Sequence, residues 1–253
     1  MSLERLSEHR RRWAEKPVLA RVYHVWFEAL LRELPREARV LEVGAGPGFF
    51  AEYAAKSRPD LRWISSDLLR TPWNHVVADA LRLPVRTGSL DAVVGLDFIH
   101  HLARPGDFFR ETARVLVPGG RLLAVEPWIT PLSYPIYRFL HQERCRLGLD
   151  PWQPFADVTA KDAFDGDAAL VHALVRRTTE ARWRELGLLP PAVQTLNGFA
   201  YLLSLGFKPG SLLPSWAAGT MLKVDEAAAA LAAAVGLRAR LTWQRAAPPP
   251  SGA

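Results

Sequence analysis

The sequence predicts an α/β fold, a mostly parallel sheet with helices on both faces. Three observations carry this. Short, near-continuous apolar runs alternate with amphipathic stretches over residues 38–127, the pattern of parallel strands joined by crossover helices. The first apolar run breaks into a glycine-rich turn, VLEVGAGPGFF at 40–50. Acids then stand at the ends of the next two runs, Asp67 and Asp79, on the carboxyl edge where such sheets bind ligands.

Each element follows from its residues. In 17–34, Leu19, Val22, Trp26 and Leu30 recur at helical spacing, so an amphipathic helix packs on the domain. ARVLEV (38–43) is the first strand. A helix runs from Phe49 to Ser57, with Pro59 beyond its end. LRWISSD (61–67), HVVADA (75–80) and LDAVVGL (90–96) are strands two to four. PGDFFRETARVL (105–116) is a helix, and the PGG turn at 118–120 leads into the fifth strand, RLLAVEP (121–127).

Beyond Pro127 the rhythm changes. Residues 128–192 carry no clean strand and are rich in aromatics and prolines, with a helix near 166–186. Residues 193–207 return to the sheet, a helix spans about 213–234, and a strand over 238–245 closes the fold. The expected organisation is one domain. It has an N-terminal helical segment (1–37), a core (38–127), a helical insertion or lid (128–192), a return to the sheet (193–245) and a disordered tail (246–253). No internal repeat is seen.

Composition narrows the function. The 253 residues are 49% hydrophobic and 23% charged, ordinary values for a globular chain with a real core. The net charge is +6, yet the only basic block beside an aromatic is Arg10-Arg11-Arg12-Trp13. Nucleic acid is therefore not the expected partner. Cys145 is the single cysteine, which excludes an internal disulfide and a cysteine zinc cluster. The charged N-terminus lacks an apolar signal core. The apolar run at 212–236 is cut by Lys223, Asp225 and Glu226 and is a core helix, not a membrane span. A cytoplasmic protein is expected.

The glycine turn names a ligand class. Gly44, Gly46 and Gly48 let a ligand approach the main chain, and the helix behind offers free N–H groups. The spacing is G-A-G-P-G, and Phe49 stands where a dinucleotide fingerprint has its third glycine. No phosphate-loop G-K-[ST] follows. Asp67 is placed to accept ribose hydroxyls and Asp79 an adenine amino group, while Glu42 lies just before the turn. Three acids in register with the sheet point to one nucleoside site.

Those stretches, with SSD at 65–67, ADALRLPV at 78–85, LDAVVGLDFIHHL at 90–102 and RVLVPGGRLLAVEP at 114–127, resemble the class I S-adenosylmethionine-dependent methyltransferases, in particular the methyltransferase type 11 group. The resemblance runs from about Arg39 to Pro127. It implies a Rossmann-like, seven-stranded sheet whose last strand pair is antiparallel. It implies that Gly44, Ala45, Gly46 and Gly48 line the methionine part of the cofactor. Asp67 would hold the ribose with Leu68 beside the adenine, Asp79 and Ala80 would hold the adenine edge, and Leu96 and Asp97 would face the amino-acid end. The implied cofactor is S-adenosylmethionine, leaving as S-adenosylhomocysteine. The implied activity is methyl transfer to a small-molecule or biosynthetic-intermediate acceptor.

Methyl transfer from a sulfonium asks the protein mainly to position the acceptor and exclude water. A base is needed only where the acceptor holds its proton tightly. His100, His101, His141 and Glu143 are the candidates, and Tyr134, Tyr137, Arg138 and His141 could line the acceptor pocket. Trp128, Tyr134, Tyr137, Phe139, Trp152 and Phe155 form either a lid over an apolar acceptor or the core of the insertion. No metal is expected, because there is no H-E-x-x-H and the adjacent His100-His101 lack helical ligand spacing. Two other readings stand beside methyl transfer. One is an NAD(P)-dependent oxidoreductase, which the glycine spacing and the lack of a Y-x-x-x-K pair oppose. The other is a non-catalytic relative that binds cofactor.

Overall fold

In the computed structural model, described for residues 3–141, 143–153 and 165–247, successive side chains of the central strands feed two separate cores. Strand side chains alternate between faces. Leu41, Val43, Val93, Leu122 and Ala124 enter one core, while Val40, Ala92, Val94, Leu123 and Val125 enter the other. A sheet apolar on both sides is stable only between two helical layers.

Among the described residues there are seven strands: β1 (Arg39–Val43), β2 (Arg62–Asp67), β3 (Val76–Val77), β4 (Leu90–Leu96), β5 (Leu116–Pro127), β6 (Ala192–Leu196) and β7 (Arg238–Gln244). Their order is β3-β2-β1-β4-β5-β7-β6. β7 pairs antiparallel with both β5 and β6; the other pairings are parallel. The order reverses between β1 and β4, so the ligand crevice lies beyond Val43 and Leu96. The PGG turn is drawn into β5, whose pairing with β4 shifts register between Leu90 and Ala92.

Helices α1 (Leu3–Glu15), α2 (Pro17–Leu31) and α3 (Phe49–Ser57) begin one layer. Phe27 stacks on Phe50 at 4.6 Å, and Trp13 on Phe49 at 4.0 Å. These rings tie α1 and α2 to the helix that follows the glycine turn, and burying each stabilises by about 1.5–3 kcal/mol. On the other face, α4 (Pro105–Val115) buries Phe108 and Phe109.

After β5 come a single turn, α5 (Ser133–Pro135), and a π-helical turn at Ile136–Leu140. The helix expected near 166–186 is two helices, α6 (Leu170–Arg177) and α7 (Glu180–Glu185). Thr178 and Thr179 are extended between them, and the Thr179 hydroxyl accepts the Arg182 N–H to start the second. Only the first residues of 193–207 join the sheet. Gly198 opens α8 (Phe199–Ser204). The helix expected at 213–234 is broken into α9 (Ala218–Ala227), a 3₁₀ turn and α10 (Ala232–Val235). The third strand is also shorter than its apolar run.

The β2–β3 and β3–β4 connections, residues 68–75 and 78–89, contain no helix. Ile64, Val76 and Val77 are consequently half-exposed, so the helical cover expected on both faces is incomplete at this edge. No described helix is long and apolar enough to cross a membrane. The expected tail lies largely outside the described residues.

Candidate functional site

The turn after β1 is shaped by three left-handed residues, Gly44 (φ 62), Gly46 (φ 50) and Gly48 (φ 80), angles that cost a side chain but not glycine. Gly48 is the N-cap of α3. From the neighbouring strand, Asp67 Oδ2 accepts the Gly46 N–H at 2.8 Å and Oδ1 accepts the Leu69 N–H at 2.9 Å. Each carboxylate oxygen keeps a further lone pair, so Asp67 can shape the turn and still receive a hydroxyl. Aromatic rings cover the bare glycine faces. A Cβ on Gly44 would overlap the Phe98 ring, and one on Gly48 would lie 2.7 Å from Trp73 Cδ1. The Trp73 indole donates to the Gly46 carbonyl at 2.7 Å. Arg10 of α1 lies over that indole at 4.8 Å and donates to the Pro47 carbonyl.

The other residues expected at this edge fall in three groups. Leu68 and Asp79 are exposed and Ala80 is buried beside them. The Asp79 carboxylate accepts the Leu81 N–H and caps its own turn. Glu42 is buried, accepts the Trp63 indole N–H at 3.0 Å, and is pushed up to about 8, chiefly by burial. Leu96 ends β4, and Asp97 turns left-handed after it (φ 49). The Asp97 carboxylate is taken by Arg238, an ion pair, and by the Tyr23 hydroxyl at 3.2 Å.

The four candidate catalytic residues meet around Glu143. His100 Nε2 is 3.1 Å from Glu143 Oε2, His101 Nε2 is 3.9 Å from Oε1, and His141 Nδ1 is 3.9 Å from Oε2. Behind them Glu126, fully buried, takes His100 Nδ1 at 2.6 Å and the N–H groups of Phe98 and Ile99 at 3.0 and 2.7 Å. Burial opposes the charge on His100, but the two carboxylates outweigh it and push the imidazole up to about 10. Glu143 is held near 2 by the histidines despite its own burial. His141 is lowered, mainly by burial.

The expected acceptor pocket does not form as a unit. Tyr137 is buried in the main core, and its hydroxyl donates to the Leu237 carbonyl. Its ring meets His141 edge-on at 5.3 Å. Tyr134 is half-buried against the same core. Arg138 is exposed and lies over the Phe139 ring. These residues could line one pocket by sequence, but the π-helical turn at Ile136–Leu140 leaves Tyr137 buried and Arg138 exposed. Nor are the aromatics a separate lid. Trp128 is in the main core, Trp152 packs edge-on against Trp183 at 5.9 Å, and Phe139 points to solvent at 75% exposure. Phe155 lies outside the described residues.

Sequence reasoning missed Glu126, Arg238, Trp73 and Phe98. Glu126 carried a signal, an acid inside an otherwise apolar strand. Arg238 is 2% exposed, lies between the rings of Trp26 and Tyr201 at 5.2 and 4.8 Å, and had none.

Known proteins resemble this chain in part. Residues 41–124 match the family model described as a methyltransferase domain. A malonyl-[acyl-carrier protein] O-methyltransferase of Legionella pneumophila is 34% identical over 112 residues, 38% of this chain and 39% of that protein. A tRNA (carboxymethyluridine(34)-5-O)-methyltransferase of Mus musculus is 35% identical over 115 residues, 41% of this chain and 17% of that protein. The chain thus spans less than half the length of these relatives. A solved S-adenosylmethionine-dependent methyltransferase from Archaeoglobus fulgidus superposes with a TM-score of 0.52 at 16% identity, over 88% of this chain and 94% of that one. This likeness establishes the Rossmann-like, mostly parallel seven-stranded fold.

Proposed function

We propose that this chain, which carries a class I methyltransferase domain over residues 41–124, uses S-adenosylmethionine to methylate a small-molecule acceptor. One observation carries the reading. The Asp67 carboxylate grips the Gly46 N–H beside the point where strand order reverses, which joins the glycine turn and the ribose-type acid into one cradle. Gly44, Ala45, Gly46 and Gly48 would line its methionine side. Leu68, Asp79 and Ala80 stand where an adenine would lie, and Leu96 and Asp97 border the reacting end.

S-adenosylmethionine supplies a methyl group already activated for displacement, so this chain's residues position the acceptor and keep water away. A small acceptor is favoured over a polyanion because Arg238, beside the carboxyl end of β4, is 2% exposed and paired with Asp97, so its charge is not offered at the surface. His141 is the group suited to take a proton, because burial keeps its imidazole neutral at pH 7. Glu143, ionised beside it, would steady the resulting imidazolium. His100, already charged between two carboxylates, is not a base. Residues 38–127 act as the cofactor half in this reading, and 128–192 with β7 supply the acceptor side.

Calorimetric titration with S-adenosylhomocysteine and NAD tests the cofactor. S-adenosylhomocysteine is expected to bind, and binding of NAD alone would overturn the reading. Labelled methyl transfer to carboxylic and phenolic small molecules, with tRNA as a separate arm, tests the acceptor class. Transfer to tRNA alone would overturn the small-molecule assignment.

A further inference from the structure

We propose that His100, His101 and Glu143 form a binding site for a divalent transition ion of the zinc type. The three residues each present one ligand atom, and these atoms lie within 4.8 Å of one another. Tetrahedral zinc, with bonds near 2 Å, holds its ligand atoms about 3.3 Å apart. His100 Nε2 and Glu143 Oε2 are already at 3.1 Å, and His101 Nε2 is 3.9 Å from Glu143 Oε1. Drawing all three ligand atoms from within 4.8 Å to this spacing takes side-chain movements of up to about 1.5 Å.

The surroundings are those of a built site. Glu126 takes His100 Nδ1 at 2.6 Å and is itself anchored by two backbone N–H groups. A carboxylate behind the imidazole fixes the ring and directs Nε2 forward, the outer arrangement that metal-bound histidines use. Metals bind the neutral imidazole, so binding at His100 would release a proton. The chain at Gly166 runs close enough that a Cβ there would be 2.8 Å from His101 Nδ1 and 3.1 Å from Glu143 Oε2. Glycine therefore leaves these two ligands room that a side chain would take.

The donor set selects the ion. Two imidazole nitrogens and one carboxylate oxygen suit zinc and its neighbours, whereas magnesium and calcium prefer all-oxygen shells. Three protein ligands leave a fourth position. The His101 and Glu143 side chains retain 17% and 21% exposure, so water or an acceptor heteroatom can reach it.

The test uses the full chain, stripped with chelator and titrated with Co2+ and then with Zn2+. Visible d–d bands of tetrahedral intensity, lost when one equivalent of Zn2+ is added, are the expected result. His101→Ala and Glu143→Gln should each weaken binding by about 10–100-fold or more, while His172→Ala should not change it. Circular dichroism confirms folding of each variant. If neither site variant folds, the wild-type Co2+ spectrum decides. A six-coordinate aqueous spectrum, binding unchanged in both folded variants, or equal competition by Mg2+ would overturn the proposal. Loss of S-adenosylhomocysteine binding would instead refute the cofactor reading and leave this one standing.

Discussion

Asp67 and Gly46 are joined by a 2.8 Å hydrogen bond from the backbone N–H to the carboxylate, so the acid after β2 fixes the turn after β1. Asp67→Ala removes both this bond and the one from Leu69. Removing the partner of a buried donor costs about 1–3 kcal/mol. S-adenosylhomocysteine affinity should fall by roughly 10–100-fold, measured by calorimetry, and Asp67→Asn should recover only part of it. Unchanged affinity in Asp67→Ala would remove the ribose role.

Arg238 and Asp97 join β7 to the end of β4 at the mouth of the crevice. Tyr23 adds a second hold on Asp97, and Trp26 and Tyr201 enclose the guanidinium. Breaking one side of a buried pair leaves an uncompensated charge and costs about 3–5 kcal/mol. Arg238→Met should therefore lower stability by that order in urea unfolding. Arg238→Met combined with Asp97→Asn should recover much of the loss, since neither then buries an unpaired charge.

These two relationships mark how far the sequence could be read. The strands around Val40, Leu41, Ala92 and Val93 were legible as near-continuous apolar runs, because a parallel sheet covered on both faces buries both sides of each strand. The glycine turn and Asp67 were legible because the backbone and strand-end positions of this fold constrain them. His100, His101, His141 and Glu143 could be picked out as chemistry-bearing types, but their meeting point could not. It depends on Glu126 arriving from β5 and on Gly166 passing close by. Arg238 was invisible for a related reason. An arginine opening a strand reads as solvated until tertiary packing surrounds it with Trp26 and Tyr201. The breaks at Thr178–Thr179 and Gly198 carry local signals, a threonine cap and a glycine, which the broader apolar pattern masked.

Glu42 gives a pH test. Its folded-state value is raised to about 8 from 4.5, mainly by burial. Below about pH 4.5 both folded and unfolded chains hold the proton, and Glu42 has no effect. Between 4.5 and 8 the unfolded chain releases it and the folded chain does not, so Glu42 makes stability fall as pH rises. Glu42→Gln cannot ionise and retains an acceptor for the Trp63 indole. Its stability advantage over the parent should grow by about 2–4 kcal/mol from pH 5 to pH 8 in urea titrations. An equal difference at both pH values would show that Glu42 is not held protonated.

Tyr137 separates a core role from an acceptor-binding one. The ring is 3% exposed and the hydroxyl is committed to the Leu237 carbonyl, one residue before Arg238 opens β7. Tyr137→Phe keeps the packing and deletes only that donor, and the Leu237 carbonyl keeps the Trp128 N–H at 3.0 Å. The expected loss is about 0.5–1.5 kcal/mol of stability, read as a lower urea midpoint with an unchanged slope. S-adenosylhomocysteine affinity should stay within about twofold, because the hydroxyl faces β7 and not the glycine turn. Unchanged stability together with a raised KM for the acceptor would return Tyr137 to the pocket. The geometry favours the first outcome, since a hydroxyl already bonded to backbone has little left to offer a substrate.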